Sequence, residues 1–168
     1  MAVSVQLIDS ALIEATSRRA EESTRRRMNH NFHEGPGDNP HRFLNVFLHG
    51  TYVAPHRHIS PPKSETFLVL EGHLAVFCFD DRGAVTARYL LGPQAPDPDA
   101  VSQHPYCGIG LDLPPGIWHT VAAVSRRAVC FEVKPGPWDP ATDKEFAPWA
   151  PREGAEESSV YLDRLLRA

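Results

Sequence analysis

Four residues of this chain have the types and spacing to hold one metal ion. His56 and His58 stand two apart at the end of Gly50-Thr51-Tyr52-Val53-Ala54-Pro55-His56-Arg57-His58. In a strand, residues two apart point to the same side, so both imidazoles would face one cavity from a single rigid element. Glu65 opens a second extended run, Glu65-Thr66-Phe67-Leu68-Val69-Leu70, and adds a carboxylate oxygen. His119 follows the tight turn Pro114-Pro115-Gly116 and supplies a third imidazole. Three nitrogens and one oxygen suit a divalent first-row ion such as iron, manganese, nickel, cobalt or zinc. Four protein ligands leave a position open on an ion that accepts five or six, which is the layout of a catalytic or ligand-binding centre rather than a sealed structural one.

The surrounding glycines and prolines complete a recognisable pair of motifs. Gly50, His56, His58, Glu65 and Gly72 form the first; Gly108, Pro114, Gly116 and His119 form the second. Together they resemble the paired motifs of the cupin superfamily. Two departures stand out: the spacer between His58 and Glu65 runs from Ile59 to Ser64, longer than usual, and Ala123 stands where the second motif usually ends in Asn. The longer spacer implies an enlarged loop over the cavity mouth. The stretches Arg26 to His33, His41 to Asn45 and Trp138 to Trp149 look like the WbuC-type cupin metalloproteins, small bacterial proteins associated with surface-polysaccharide genes. The resemblance implies an all-β fold, the cupin double-stranded β-helix, a jelly-roll-like barrel with an N-terminal and a short C-terminal helix. It also implies binding or transformation of a small polar metabolite, a sugar or nucleotide-sugar. A metal-dependent isomerase, an iron(II) dioxygenase and a non-catalytic, metal-anchored binding protein all remain open.

A second set of residues could recognise that ligand. If the chain is extended from Arg27, then Arg27, Asn29, Asn31 and His33 share one face while Met28, His30 and Phe32 share the other. The plain alternative is an edge strand with a wet side and a core side. As a cavity wall, the asparagines would offer donors and acceptors to hydroxyls, and Arg27 with Arg42 would offer forks to an anion. His33 and Tyr52 are the candidates for a general base. Lys63, in the enlarged loop, reads most simply as a surface lysine, as Arg25 to Arg27 read as a solvated helix end. His41, His49, His73 and His104 read as surface or hydrogen-bonded structural histidines.

The elements that must position these groups read as helix, barrel and tail, with boundaries at 1–25, 26–135 and 136–168 of one domain. Asp9 or Ser10 can cap a helix to about Thr24. Apolar runs at Phe43–Leu48, Thr66–Leu70, Leu74–Phe79, Ala84–Leu91, Gly110–Leu113, Thr120–Val124 and Ala128–Val133 read as strands of a hairpin-rich system. Glu156–Leu166 reads as a last helix, and the proline-rich stretch from Gly92 to Pro105 as a surface excursion. Sixteen prolines and eleven glycines argue against a helical bundle. A net charge of −4 carries no footprint for nucleic acid, and the apolar runs are too short to cross a bilayer. Three cysteines without a Cys-x-x-Cys pair suggest neither a disulfide framework nor a zinc finger; Cys78, Cys130 and Cys107 read as packed thiols. A small-molecule ligand, a cytoplasmic location and room for a homodimer are the remaining expectations.

Overall fold

Asp9 starts the first helix by accepting a hydrogen bond from the Leu12 amide at 2.9 Å, which satisfies one of the orphan donors of the first turn. The helix α1 spans Ser10–Glu22. The computed structural model describes residues 5–94 and 106–167, so most of the excursion expected between Gly92 and Pro105 lies outside the described residues. The strands that follow are β1 (Arg27–Asn31), β2 (His41–Leu48), β3 (His56–Arg57), β4 (Glu65–Glu71), β5 (Leu74–Phe79), β6 (Val85–Leu91), β7 (Tyr106–Gly108), β8 (Gly110–Leu113), β9 (Trp118–Ala123), β10 (Arg127–Lys134) and β11 (Glu145–Phe146). A final helix, α2, spans Ser158–Arg167.

Two sheets form, ordered β1-β2-β10-β4-β8 and β11-β3-β9-β5-β6-β7. All pairings are antiparallel except that of β6 with β7. The architecture is the double-stranded β-helix of the cupin fold. Between the sheets lies a core that includes Phe47, Phe67, Val69, Leu74, Val76, Val121, Ala128 and Cys130. Outside the first sheet, α1 packs Leu12, Ile13 and Ala20 on Leu44, Val46 and Val129. Outside the second, α2 packs Tyr161, Leu162 and Leu165 in a cluster with Ala75, Phe77 and Trp118. With covers on both sides, β5 is buried at every position, and no run of alternating polar residues marks it.

The strand parity also sorts inward residues by depth. Inward positions on β4 run Val69, Phe67, Glu65; on β9 they run Ala123, Val121, His119; on β10 they run Ala128, Cys130, Glu132, Lys134. Each strand changes from apolar to ionisable along its length, so one end of the interior is a closed core and the other a polar cavity. Gly72 lets the chain turn from β4 into β5. Its φ is +71°, and a Cβ there would meet the Arg127 carbonyl oxygen at 2.0 Å, so only glycine fits.

Candidate metal centre and cavity

Strand pairing assembles the four candidate ligands. His56 on β3 lies opposite His119 on β9, and Glu65 heads β4 in the facing sheet. His58 falls just beyond the two-residue β3, so the His-x-His pair is held by one short strand and its exit rather than by a regular strand. All four side chains are buried, and one ligand atom from each lies within 4.8 Å of the others. The His119 and His58 Nε2 atoms approach the two Glu65 oxygens at 2.8 and 3.1 Å.

The outer ring nitrogens fix which atoms each imidazole turns to the centre. His56 Nδ1 lies 2.9 Å from the Ala54 carbonyl oxygen, His119 Nδ1 lies 2.9 Å from that of Ile117, and His58 Nδ1 contacts that of Asp143. A carbonyl only accepts, so each Nδ1 carries the proton and each Nε2 presents a lone pair to the centre. Lone pairs therefore face a carboxylate, and His58 Nε2 and Glu65 Oε2 are buried without a hydrogen-bond partner. A cation is what such a set of acceptors is built to receive. Burial, helped by the charge of Lys144, pushes the His56 imidazole well below its ordinary value, which favours the neutral, ligating form. Burial opposes ionisation of Glu65, and the Lys134 ammonium, 3.6 Å from its Oε1, favours it.

Around this centre opens a cavity of about 670 Å³. Arg27, Asn29, Asn31 and His33 line it, with Met28 on the same stretch. The Arg27 guanidinium is already engaged, donating to Glu153 at 2.7 and 2.8 Å and to the Tyr52 carbonyl at 2.9 Å. Two expected ligand contacts are corrected. Arg42 is exposed and donates to the Phe32 carbonyl at 3.0 Å, because it shares the outward parity of Leu44 and Val46 on β2. Tyr52 lies in the cluster under α2, where its hydroxyl donates to the Pro151 carbonyl at 2.8 Å, and burial pushes that hydroxyl far above its ordinary value. Neither Arg42 nor Tyr52 lines the cavity, so Tyr52 drops out as a base there. Lys63 is also not a surface lysine. It is buried, donating to Asp143 at 2.9 Å and to the Pro137 carbonyl at 2.6 Å. Cys107, expected to be packed, is exposed.

A network of buried charges went unanticipated. Lys134 Nζ lies 3.2 Å from Asp143 and 3.9 Å from Glu132, and Asn45 donates to Glu132 at 2.6 Å. Burial, with the charge of Glu65, pushes the Glu132 carboxyl up to about 7. The available signal was the alternation Cys130, Glu132, Lys134, which puts two ionisable groups on the inward parity of an otherwise apolar strand.

His41 is fully buried, stacked on His33 with ring centroids 4.1 Å apart and planes 3° apart. Burial and the nearby His33 push its imidazole below the ordinary 6.5. A depressed folded value means that the unfolded chain takes up a proton the native state refuses. Stability from this group is therefore complete above about 6.5 and is lost as pH falls through the folded value. The denaturation midpoint is expected to drop between pH 7 and 5, and His41→Gln to flatten that slope; an identical slope in the variant would remove His41 as its source.

Residues 8–91, half of the chain, match the family described as a domain of unknown function, DUF6016. The chain belongs to that family. The matched part of this DUF6016 protein runs from α1 to β6 and carries His56, His58 and Glu65, whereas His119 lies beyond it. No curated protein matches the sequence. Among solved structures, a protein from Shewanella oneidensis is similar at 11% identity and a TM-score of 0.52, over 71% of this chain and 72% of that one. The capsular polysaccharide assembling protein CapF from Staphylococcus aureus is similar at 17% identity and a TM-score of 0.51, over 71% of this chain and 31% of CapF. A cupin domain of Cnp3 from Schizosaccharomyces pombe aligns at 8% identity and a TM-score of 0.45, over 65% of this chain and 60% of that one. The chain thus spans about a third of CapF, and the likenesses concern the fold.

Proposed function

We propose that this protein is a metal-binding cupin whose cavity takes a small, hydroxyl-rich metabolite, a sugar or nucleotide-sugar of surface-polysaccharide synthesis. The observation that carries the metal half is the convergence of three imidazole lone pairs and a carboxylate, all buried, with no proton left between them. His56, His58, Glu65 and His119 would hold the ion. When bound, a divalent ion there supplies Lewis acidity toward a carbonyl or hydroxyl oxygen. The protein's own part is to fix the three rings through carbonyls, exclude water from the inner end of the cavity with Phe67 and Val121, and offer Asn29 and Asn31 to hydroxyls. The sugar half is supported by those asparagines, by the WbuC-like stretches of sequence and by a fold shared with a capsular polysaccharide assembling protein.

Elemental analysis tests the ligand set. The purified protein is expected to hold one first-row ion per chain, and His119→Ala to lose most of it while keeping its far-UV circular dichroism. Full metal occupancy in His119→Ala would refute the assignment. Asn31→Ala is expected to weaken sugar binding, measured by calorimetry, without changing metal content.

A further inference from the structure

We propose that the mouth of the metal cavity contains an anion-recognising subsite, built on Lys144 with Arg25, so that the ligand carries a carboxylate or a phosphate. This rests on the metal-binding reading above and narrows its substrate class.

The segment that carries Lys144 is fixed on both sides. Before it, Asp143 is buried, its carboxylate held by Lys63 at 2.9 Å and Lys134 at 3.2 Å, its carbonyl in contact with His58 Nδ1. After it, Glu145 forms a two-pronged ion pair with Arg57 at 2.9 and 3.0 Å outside the barrel, and Phe146 pairs with His56 across β11 and β3. Alternation along this extended segment turns Lys144 and Phe146 inward, and both line the cavity. A lysine on a backbone pinned in this way has lost much of the freedom that binding would otherwise have to remove.

Among the described residues no carboxylate lies within ion-pair distance of its ammonium. Among the cavity-lining cations, Arg27 is paired with Glu153 and Lys134 with Asp143, whereas Lys144 Nζ and the Arg25 guanidinium make no hydrogen bond or ion pair with the described residues. Lys144 is half-buried, and its burial together with Lys134 pushes the ammonium below its ordinary value, the mark of a cation short of a partner. The charge of the whole cavity points the same way. Its carboxyls are Glu34, Glu65, Glu132, Asp143 and Glu153; its cations are Arg25, Arg27, Lys134 and Lys144, with Lys63 buried against Asp143. These balance, so a divalent ion leaves an excess of positive charge facing the open end. Neutral sugars would leave that excess unanswered. An anion near Lys144 answers it and also gives the lysine its partner. Phe146, 56% exposed, and Trp138, 45% exposed, stand at the same mouth and offer rings to the apolar face of a bound ligand.

The test uses glucose, glucuronate and glucose 6-phosphate, which share one scaffold and differ in charge, titrated calorimetrically into the purified protein after its metal content has been measured. At least one anionic probe is expected to bind about tenfold or more tightly than glucose. Lys144→Gln is expected to remove that preference while glucose affinity and metal content stay unchanged, and Lys144→Arg to restore most of it. Preference for glucuronate alone identifies a carboxylate, and for glucose 6-phosphate alone a phosphate. The proposal is overturned if no probe binds, if the three bind alike, if Lys144→Gln keeps the preference, or if that variant loses its metal, since the lysine would then act through the ion. A protein that takes up no metal refutes the metal reading instead, and the comparison of Lys144→Gln with the parent chain on the same probes still decides the subsite.

Discussion

Lys134→Ala is expected to destabilise the metal-free protein by about 3–5 kcal/mol, among the largest effects available in this chain. The ammonium is buried within reach of Asp143 at 3.2 Å, Glu65 at 3.6 Å and Glu132 at 3.9 Å, and removing it leaves three buried carboxyls facing one another at the inner end of the cavity. Lys63 keeps a hold on Asp143, so the strain falls on Glu65 and Glu132. The double variant Lys134→Ala, Asp143→Asn is expected to cost less than the sum of its parts. The pH range follows from the signs. Burial opposes the charge on Lys134, but Glu132, Glu65 and Asp143 raise its value overall, so its contribution holds below about 10.5 and fades as pH rises through the folded value. Burial likewise opposes the charge on Asp143, but Lys134 and Lys63 lower its value overall, so its contribution holds above about 3.8 and fades as pH falls through the folded value. Urea unfolding of the variant at pH 7 measures the loss, and a change under about 1 kcal/mol would mean that water already reaches the cluster.

Metal removal should rival that effect. Free metal at a thousandfold excess over its dissociation constant is expected to stabilise the fold by about 4 kcal/mol, which a chelator then reverses. Because ligating imidazoles must be neutral, the stabilisation should shrink as pH falls. At His56 that competition begins only well below the ordinary 6.5, since burial has already driven the proton off. Thermal unfolding of metal-loaded protein with and without chelator checks the first claim, and an unchanged midpoint would contradict it.

The metal-ligand pattern was the most legible part of the sequence, because glycine and proline positions fix the turns that bring His56, His58, Glu65 and His119 together. Strand parity was legible wherever the strand start was. An apolar run that starts at Phe43 gives Arg42 no parity; the strand starts at His41, and from there Arg42 shares a face with Leu44 and Val46. Tyr52 sits in Thr51–Ala54, where no regular strand forms, so a period of two carries no information about its direction. Lys63, Glu132 and Lys134 were hidden for a different reason. Charged residues are read as solvated unless their partners are known, and Lys63 and Lys134 meet in Asp143, far away in the chain from Lys63 and on a segment without a long strand.

The segment from Gly136 to Ala147 gives the tail a role that its position after the barrel conceals. One short stretch supplies the carbonyl that orients His58, the carboxylate that anchors two buried lysines, and the two inward side chains Lys144 and Phe146. All four candidate metal ligands and most of the barrel wall come from earlier in the chain. On the proposed reading, metal binding and ligand selection fall to separable stretches of polypeptide: exchanging residues 144 and 146 should retune which molecule is admitted while metal content is kept, whereas cutting the chain before Asp143 should weaken metal binding itself.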